Sequence, residues 1–186
     1  MADPLASLVG VITQLIDRFE VSRLPYAFGG AVAYSSWGEP RATRDIDLNV
    51  WVEPDRLTVA FDVLTAAGVT LDRGRAAAEA ADRGLFVGWH GEYRIDVFTP
   101  SIPFYAEALE GRRRVRLAGR ETWVLSPEVL AVFKMLFFRA KDLRDLERLL
   151  AVQGPRFDRS FVRRHLVEML GADAEQVAAW DRLAGP

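Results

Sequence analysis

The chain has 186 residues, 50% of them hydrophobic and 27% charged, with a formal net charge of −2; this is the make-up of one ordinary globular domain able to bury its own core, and no obvious binder of polyanions. It has no cysteine and only two histidines, His90 and His165. That excludes a disulfide framework, a thiolate metal site and a cysteine nucleophile, and argues against a zinc centre or a Ser-His-Asp hydrolase.

In chain order, Leu5, Leu8, Val9, Ile12, Leu15, Ile16 and Phe19 recur at helical spacing and predict an amphipathic helix over 5–20. Tyr26-Ala27-Phe28 predicts a short strand running into Gly29-Gly30. A helix over Ala31-Val32-Ala33-Tyr34 follows, broken at Gly38-Glu39-Pro40. The alternation Asp45-Ile46-Asp47-Leu48-Asn49-Val50 predicts a half-buried strand, extended by Trp51-Val52. Pro54-Asp55 starts a helix to about Ala67, stopped by Gly68. Residues 72–83 read as either a short helix or a mobile loop. Leu85–Trp89 and Tyr93–Phe98 form a hairpin around Gly91-Glu92, and Val115–Leu117 with Thr122–Leu125 a second around Ala118-Gly119. Ser126-Pro127-Glu128 caps a helix over 127–139, and another follows over 141–152. Gly154-Pro155 is a linker before a helical tail over 158–182. The longest apolar runs, such as Val129–Phe133, fall far short of the roughly 18 residues a membrane span needs, and the N-terminus has no signal-peptide pattern. The expectation is a cytoplasmic protein with no membrane partner.

Three aspartates carry the chemistry. Asp45 and Asp47, two apart on a strand, project to one face. Asp96 sits within the strand Arg94-Ile95-Asp96-Val97-Phe98. Strand interiors disfavour aspartate, so three of them call for something that neutralises them. A divalent cation does so, and carboxylate oxygens together with substrate phosphates suit Mg²⁺. The alternative is solvation, or pairing with Arg41, Arg44 or Arg94. Gly29-Gly30, between strand and helix, offers bare backbone N–H groups that a phosphate can approach closely. Of the 24 basic residues only Lys134 and Lys141 are lysines; where arginine is the default, a lysine marks a place for a compact point charge. The alternative for Lys134 is a lysine snorkelling from an apolar helix.

Phe28-Gly29-Gly30, fourteen residues, then Asp45-Ile46-Asp47-Leu48 resembles the signature of the DNA polymerase β-like nucleotidyltransferase superfamily, with Asp96 as its third carboxylate. Gly29-Gly30-Ala31-Val32-Ala33 and Pro40-Arg41-Ala42-Thr43-Arg44-Asp45-Ile46-Asp47 resemble the AbiEii-like branch found in toxin–antitoxin loci. So does Ser126-Pro127-Glu128 … Lys134 … Arg139-Ala140-Lys141-Asp142-Leu143-Arg144-Asp145-Leu146. The resemblance implies an α+β fold: a nucleotidyltransferase core with a mixed sheet flanked by helices over 1–125, and a helical C-terminal region over 126–186 packed on it. It implies two Mg²⁺ ions, or Mn²⁺ in their place, on Asp45, Asp47 and Asp96. An NTP is then held by Gly29, Gly30, Ser35 or Ser36, Arg44, Lys134 and Lys141. Lys134 contacts the triphosphate as a mobile charge, and Asp142 or, as the better match, Asp145 orients it or the metal shell. The expected reaction moves an NMP from the NTP to an acceptor hydroxyl.

For the acceptor, Arg112, Arg113, Arg114, Arg116 and Arg120, with Arg156, Arg159, Arg163 and Arg164 on the tail, could grip phosphates. The resemblance points to an RNA or tRNA 3′ end and to a cognate antitoxin protein as partner. The five tryptophans are candidate base platforms. Two alternatives stay open: a small-molecule transferase that inactivates antibiotics, and a catalytically silent binding module with the same fold.

Overall fold

The computed structural model describes residues 7–40 and 42–185; Leu5 and Arg41 lie outside them. Helix α1 (Leu8–Ser22) is capped by the Ser7 side chain, which accepts from the Gly10 N–H, and buries Val11, Ile12, Leu15, Ile16 and Phe19. Strand β1 (Tyr26–Phe28), helix α2 (Gly30–Trp37) and strand β2 (Asp45–Val50) follow. Trp51 does not extend β2, although its N–H still donates to the Pro25 carbonyl; its indole donates to that of Tyr105. Pro54–Arg56 is a single 3₁₀ turn before α3 (Leu57–Ala66).

Residues 73–83 resolve as helix α4 (Arg73–Arg83), because Asp72 caps its start and Gly84, with a φ of 65°, takes the left-handed turn at its end. Strands β3 (Leu85–His90) and β4 (Tyr93–Phe98) form the first hairpin. Helix α5 (Tyr105–Glu110), which has no sequence signal beyond Pro103, leads into β5 (Arg112–Leu117) and β6 (Arg120–Leu125). The second hairpin is thus longer than its apolar residues indicate, and it takes the arginine run into a strand. Helix α6 (Pro127–Phe137) is capped by Ser126 and ends where Phe138 adopts a left-handed φ of 52°, which turns the chain back into α7 (Ala140–Gln153). The tail is two helices, α8 (Arg159–Leu170) and α9 (Glu175–Ala184), because Gly171 breaks it with a φ of 88°.

The strands form one six-stranded sheet in the order β3-β4-β2-β1-β6-β5. It is mixed: β2–β4 and β1–β6 are parallel, the other pairs antiparallel. Ile46, Leu48, Val50, Ile95 and Val97 are all buried. On the same side α1 and α3 close the sheet through Phe19 against Tyr26 (ring centroids 4.9 Å) and Phe61 against Phe86 (5.3 Å). The opposite side of β2 and β4 carries the polar residues, and α6 reaches it through Phe137, edge-on to Phe98 at 5.9 Å. One apolar cluster runs from α1 through the sheet to Trp180 of α9. No helix among the described residues is long and apolar enough to cross a membrane.

Candidate active site

Parallel pairing of β2 with β4 places Asp45 beside Arg94 and Asp47 beside Asp96. In-register partners on neighbouring parallel strands point to the same side. Three carboxylates and one guanidinium therefore form the corners of a square on one face. All of them line a cleft of about 660 Å³, together with Gly29, Gly30, Thr43, Lys134 and Lys141.

The electrostatics follow from that placement. Burial, then the Asp96 charge and more weakly that of Asp45, push the Asp47 carboxyl up to about 6, against the opposing pull of Lys134 and Lys141. Burial also raises Asp96, although the Arg94 charge and hydrogen bond oppose it. Arg94 Nε donates to Asp96 Oδ1 at 2.8 Å. No hydrogen bond among the described residues reaches the Asp47 carboxylate.

Gly29 and Gly30 lie directly over it. The Gly29 N–H donates to the Asp47 carbonyl at 2.8 Å, and Gly30 opens α2 with a φ of +46°. A Cβ on Gly30 would stand 1.8 Å from Asp47 Oδ2 and 2.4 Å from its Cγ. Gly30→Ala therefore combines a strained backbone with a clash at the carboxylate. It is expected to cost about 1–3 kcal/mol of stability and to displace Asp47. Urea denaturation checks this, and an unchanged midpoint would refute the close approach.

Lys134 lies on the cleft wall but is 4% exposed. Its Nζ donates to Asp145 Oδ2 at 2.6 Å and to Asp142 Oδ1 at 3.3 Å, and stands 5.7 Å from the Tyr34 ring centroid. Arg139 Nε donates to the other Asp142 oxygen at 2.6 Å. Burial alone would raise the Asp142 carboxyl; the Arg139 hydrogen bond and the Lys134 and Arg139 charges outweigh it and hold the group below its ordinary range. The mobile charge expected of Lys134 is thus an ammonium fixed between two aspartates.

Other expected contacts lie elsewhere. Ser35 is off the cleft wall, because its hydroxyl donates back to the Val32 carbonyl of its own helix at 2.7 Å. Arg44 is exposed and likewise off the wall. No tryptophan lines the cleft; Trp37 and Trp51 spend their indole N–H groups on backbone carbonyls and Trp180 is core. Much of the arginine run is taken up internally. Arg112 donates to the carbonyls of Leu109 and Tyr26, Arg114 pairs with Glu20, Arg120 with Asp17, and on the tail Arg163 with Asp181.

The sequence reading missed the rest of the wall: Arg83, Arg139 and the aromatic residues Phe98, Tyr105, Phe133 and Phe137. The signal was there for some of it. Phe98 is two residues beyond Asp96 on its strand, and Phe137 is one helical turn beyond Lys134.

Among the described residues no three Asp, Glu or His side chains already stand together as a shell for a metal ion. The donor set nevertheless fits a hard divalent cation. It is all oxygen, two of its carboxylates repel each other in register, and that of Asp47 lacks a hydrogen-bond donor.

No family model matches the chain, and no curated protein matches it. Solved structures do. The antibiotic-resistance factor ANT(2″)-Ia, in a crystal structure with adenylyl-2″-tobramycin, is 18% identical with a TM-score of 0.59, covering 94% of this chain and 97% of that one. Its solution structure gives 18% and 0.58, covering 88% and 89%. The lincosamide antibiotic adenylyltransferase LnuA, lincomycin-bound, gives 16% and 0.50, covering 76% of this chain and 96% of that one. The chain has the mixed α+β fold of these nucleotidyltransferases.

Proposed function

We propose that the protein is a metal-dependent nucleotidyltransferase that moves an NMP from an NTP to an acceptor hydroxyl. The observation that carries this reading is the in-register Asp47–Asp96 pair, with Asp45 beside it, directly beneath Gly30 in the cleft that Lys134 and Lys141 also line. Asp45, Asp47 and Asp96 would hold Mg²⁺ or Mn²⁺. When bound, such ions offset the charge of the phosphate oxygens and of the two reacting oxygens. The chain's own groups do the rest. Gly29 and Gly30 let the triphosphate approach the backbone, and Lys141 stands at the cleft with its charge unburied. Lys134, fixed by Asp142 and Asp145, directs positive charge toward Asp47 and the leaving group. Asp96, raised by burial, accepts the proton of the acceptor hydroxyl. The hydroxyl oxygen bonds to the α-phosphorus, the α–β bridging bond breaks, and pyrophosphate leaves.

The acceptor in this proposal is an RNA 3′ end, tRNA among the candidates. Arg83, Arg139 and Lys141 give the cleft a cationic rim, and Phe98 and Phe137 offer faces for a base. The AbiEii-like pattern around Lys134 and Asp145 adds a toxin's role, with a cognate antitoxin as protein partner. A second reading, a small-molecule alcohol as acceptor, is favoured by the antibiotic ligands of the similar structures.

The test is transfer in vitro. Purified protein is incubated with Mg²⁺ and each α-labelled NTP, with total tRNA or with tobramycin and lincomycin, beside Asp45→Ala/Asp47→Ala. Label on RNA from the unsubstituted protein alone is the expected result. Label on a drug moves the assignment to the second reading. No label on any acceptor, with no metal-dependent NTP binding, overturns the enzyme.

A further inference from the structure

Arg94 is the cation of the carboxylate square. It faces Asp45 across the strand pair and Asp96 two residues along its own strand, so all three side chains share one side of the sheet. Its one side-chain hydrogen bond among the described residues is the donation from Nε to Asp96 Oδ1. The two ends of that pair differ in their freedom: the Arg94 side chain is 44% exposed, the Asp96 side chain 17%. An exposed, single-donor ion pair with a long arginine stem is weak and easily opened. The buried groups around it are not: Lys134 is locked between Asp142 and Asp145 on the other wall and cannot swing across.

The three aspartates line one cleft with Arg94, and among the described residues they do not stand together as a ready group of three. We propose that Arg94 is a resident counter-ion of the carboxylate cluster, which holds Asp96 in the metal-free protein and must release it for a divalent cation to bind, so that this arginine sets the cation affinity of the site. The inference rests on the function proposed above. Its exposure makes Arg94 the displaceable charge. A divalent ion answers to several carboxylates at once, where the guanidinium satisfies a single oxygen. The exchange is therefore downhill once the ion is present, and uphill by the strength of the pair. The arginine thereby shields the cluster from its own repulsion without closing it.

Direct Mn²⁺ binding, read by the free-ion electron paramagnetic resonance signal with no nucleotide or acceptor present, tests this. Arg94→Gln removes the competitor and is expected to bind Mn²⁺ about two- to fivefold more tightly than the unsubstituted protein. Arg94→Lys, which keeps a charge at that position, is expected to fall between the two. Melting curves of the metal-free variants show that each folds, and Mn²⁺ is expected to raise the Arg94→Gln midpoint more than that of the unsubstituted protein. Equal or weaker Mn²⁺ binding by a folded Arg94→Gln overturns the counter-ion role while leaving the proposed function standing. Absence of Mn²⁺ binding from the unsubstituted protein and from both variants overturns the function, and this inference with it.

Discussion

Asp47→Asn is expected to abolish nucleotidyl transfer, by about 10³-fold or more, and at the same time to raise the melting temperature of the metal-free protein at neutral pH. The two effects share one cause. Asp47 is a carboxylate between Asp45 and Asp96 with no hydrogen-bond donor among the described residues, and burial with the Asp96 charge pushes it up to about 6 from the ordinary 3.8. A folded-state pKa above the unfolded one means that the native state binds more protons, so stability falls as pH rises through the interval from about 4 to 6 and stays reduced above it. The shift corresponds to roughly 2–3 kcal/mol at neutral pH. Asparagine keeps the shape and loses the charge. The variant is therefore expected to melt several degrees higher at pH 7, and to show a smaller loss of stability between pH 4 and 6, what remains coming from the raised Asp96. Adding Mg²⁺ is expected to stabilise the unsubstituted protein and leave the variant unmoved. Calorimetry across that pH interval decides it: a variant that melts lower, or that keeps the full pH step, contradicts this account of Asp47.

The second large effect concerns Lys134→Met, expected to destabilise the fold by about 3–5 kcal/mol. The side chain is 5% exposed and the aspartates it joins are 2% and 8% exposed. Removing the ammonium takes from two buried carboxylates the cation they share, while Arg139 still pairs with Asp142. Adding Asp142→Asn and Asp145→Asn to Lys134→Met is expected to restore most of the loss, because the repulsion goes with the charges. Transfer should stay impaired in both proteins, since neither keeps the Lys134 charge that acts on Asp47. Urea denaturation of the single and triple variants separates the cases. A triple variant no more stable than the single one would contradict charge repulsion as the cause of the loss.

The residues that share a face were legible because strand alternation is a local property. Asp45 and Asp47 had to project together, and Asp96 with Arg94. Which of them would be neighbours was not legible. That depends on the parallel register of β2 with β4, set by everything between them, and it pairs Asp45 with Arg94 rather than with a second carboxylate. Pairing with Arg94 and a metal role are alternatives on the sequence alone; the structure pairs Arg94 with Asp96 and leaves all three carboxylates lining the same cleft. Lys134 stood out by its rarity, yet its burial between Asp142 and Asp145 required the turn at Phe138, a residue type that does not advertise a left-handed conformation. The arginine run looked like a free cationic surface because sequence displays charge and hides partners. Glu20 and Asp17, which neutralise Arg114 and Arg120, come from α1 at the far end of the chain. Ser35 lies off the cleft wall, and within its short helix its hydroxyl donates to its own backbone.

That same turn at Phe138 separates the two halves of the site in the order in which a chain can assemble them. The ammonium and its aspartates are 8 and 11 residues apart, within one pair of consecutive helices. Asp47 and Asp96 meet only after α3, α4 and β3 have been laid down between them and the parallel pair has closed. Local contacts form early and parallel pairing late, so the cationic half is expected to be in place before the mutually repelling anions are brought together. A chain caught between those events owns the buried lysine but no cluster for a divalent ion. Uptake of metal during refolding would then report closure of the sheet and remain silent through the earlier collapse.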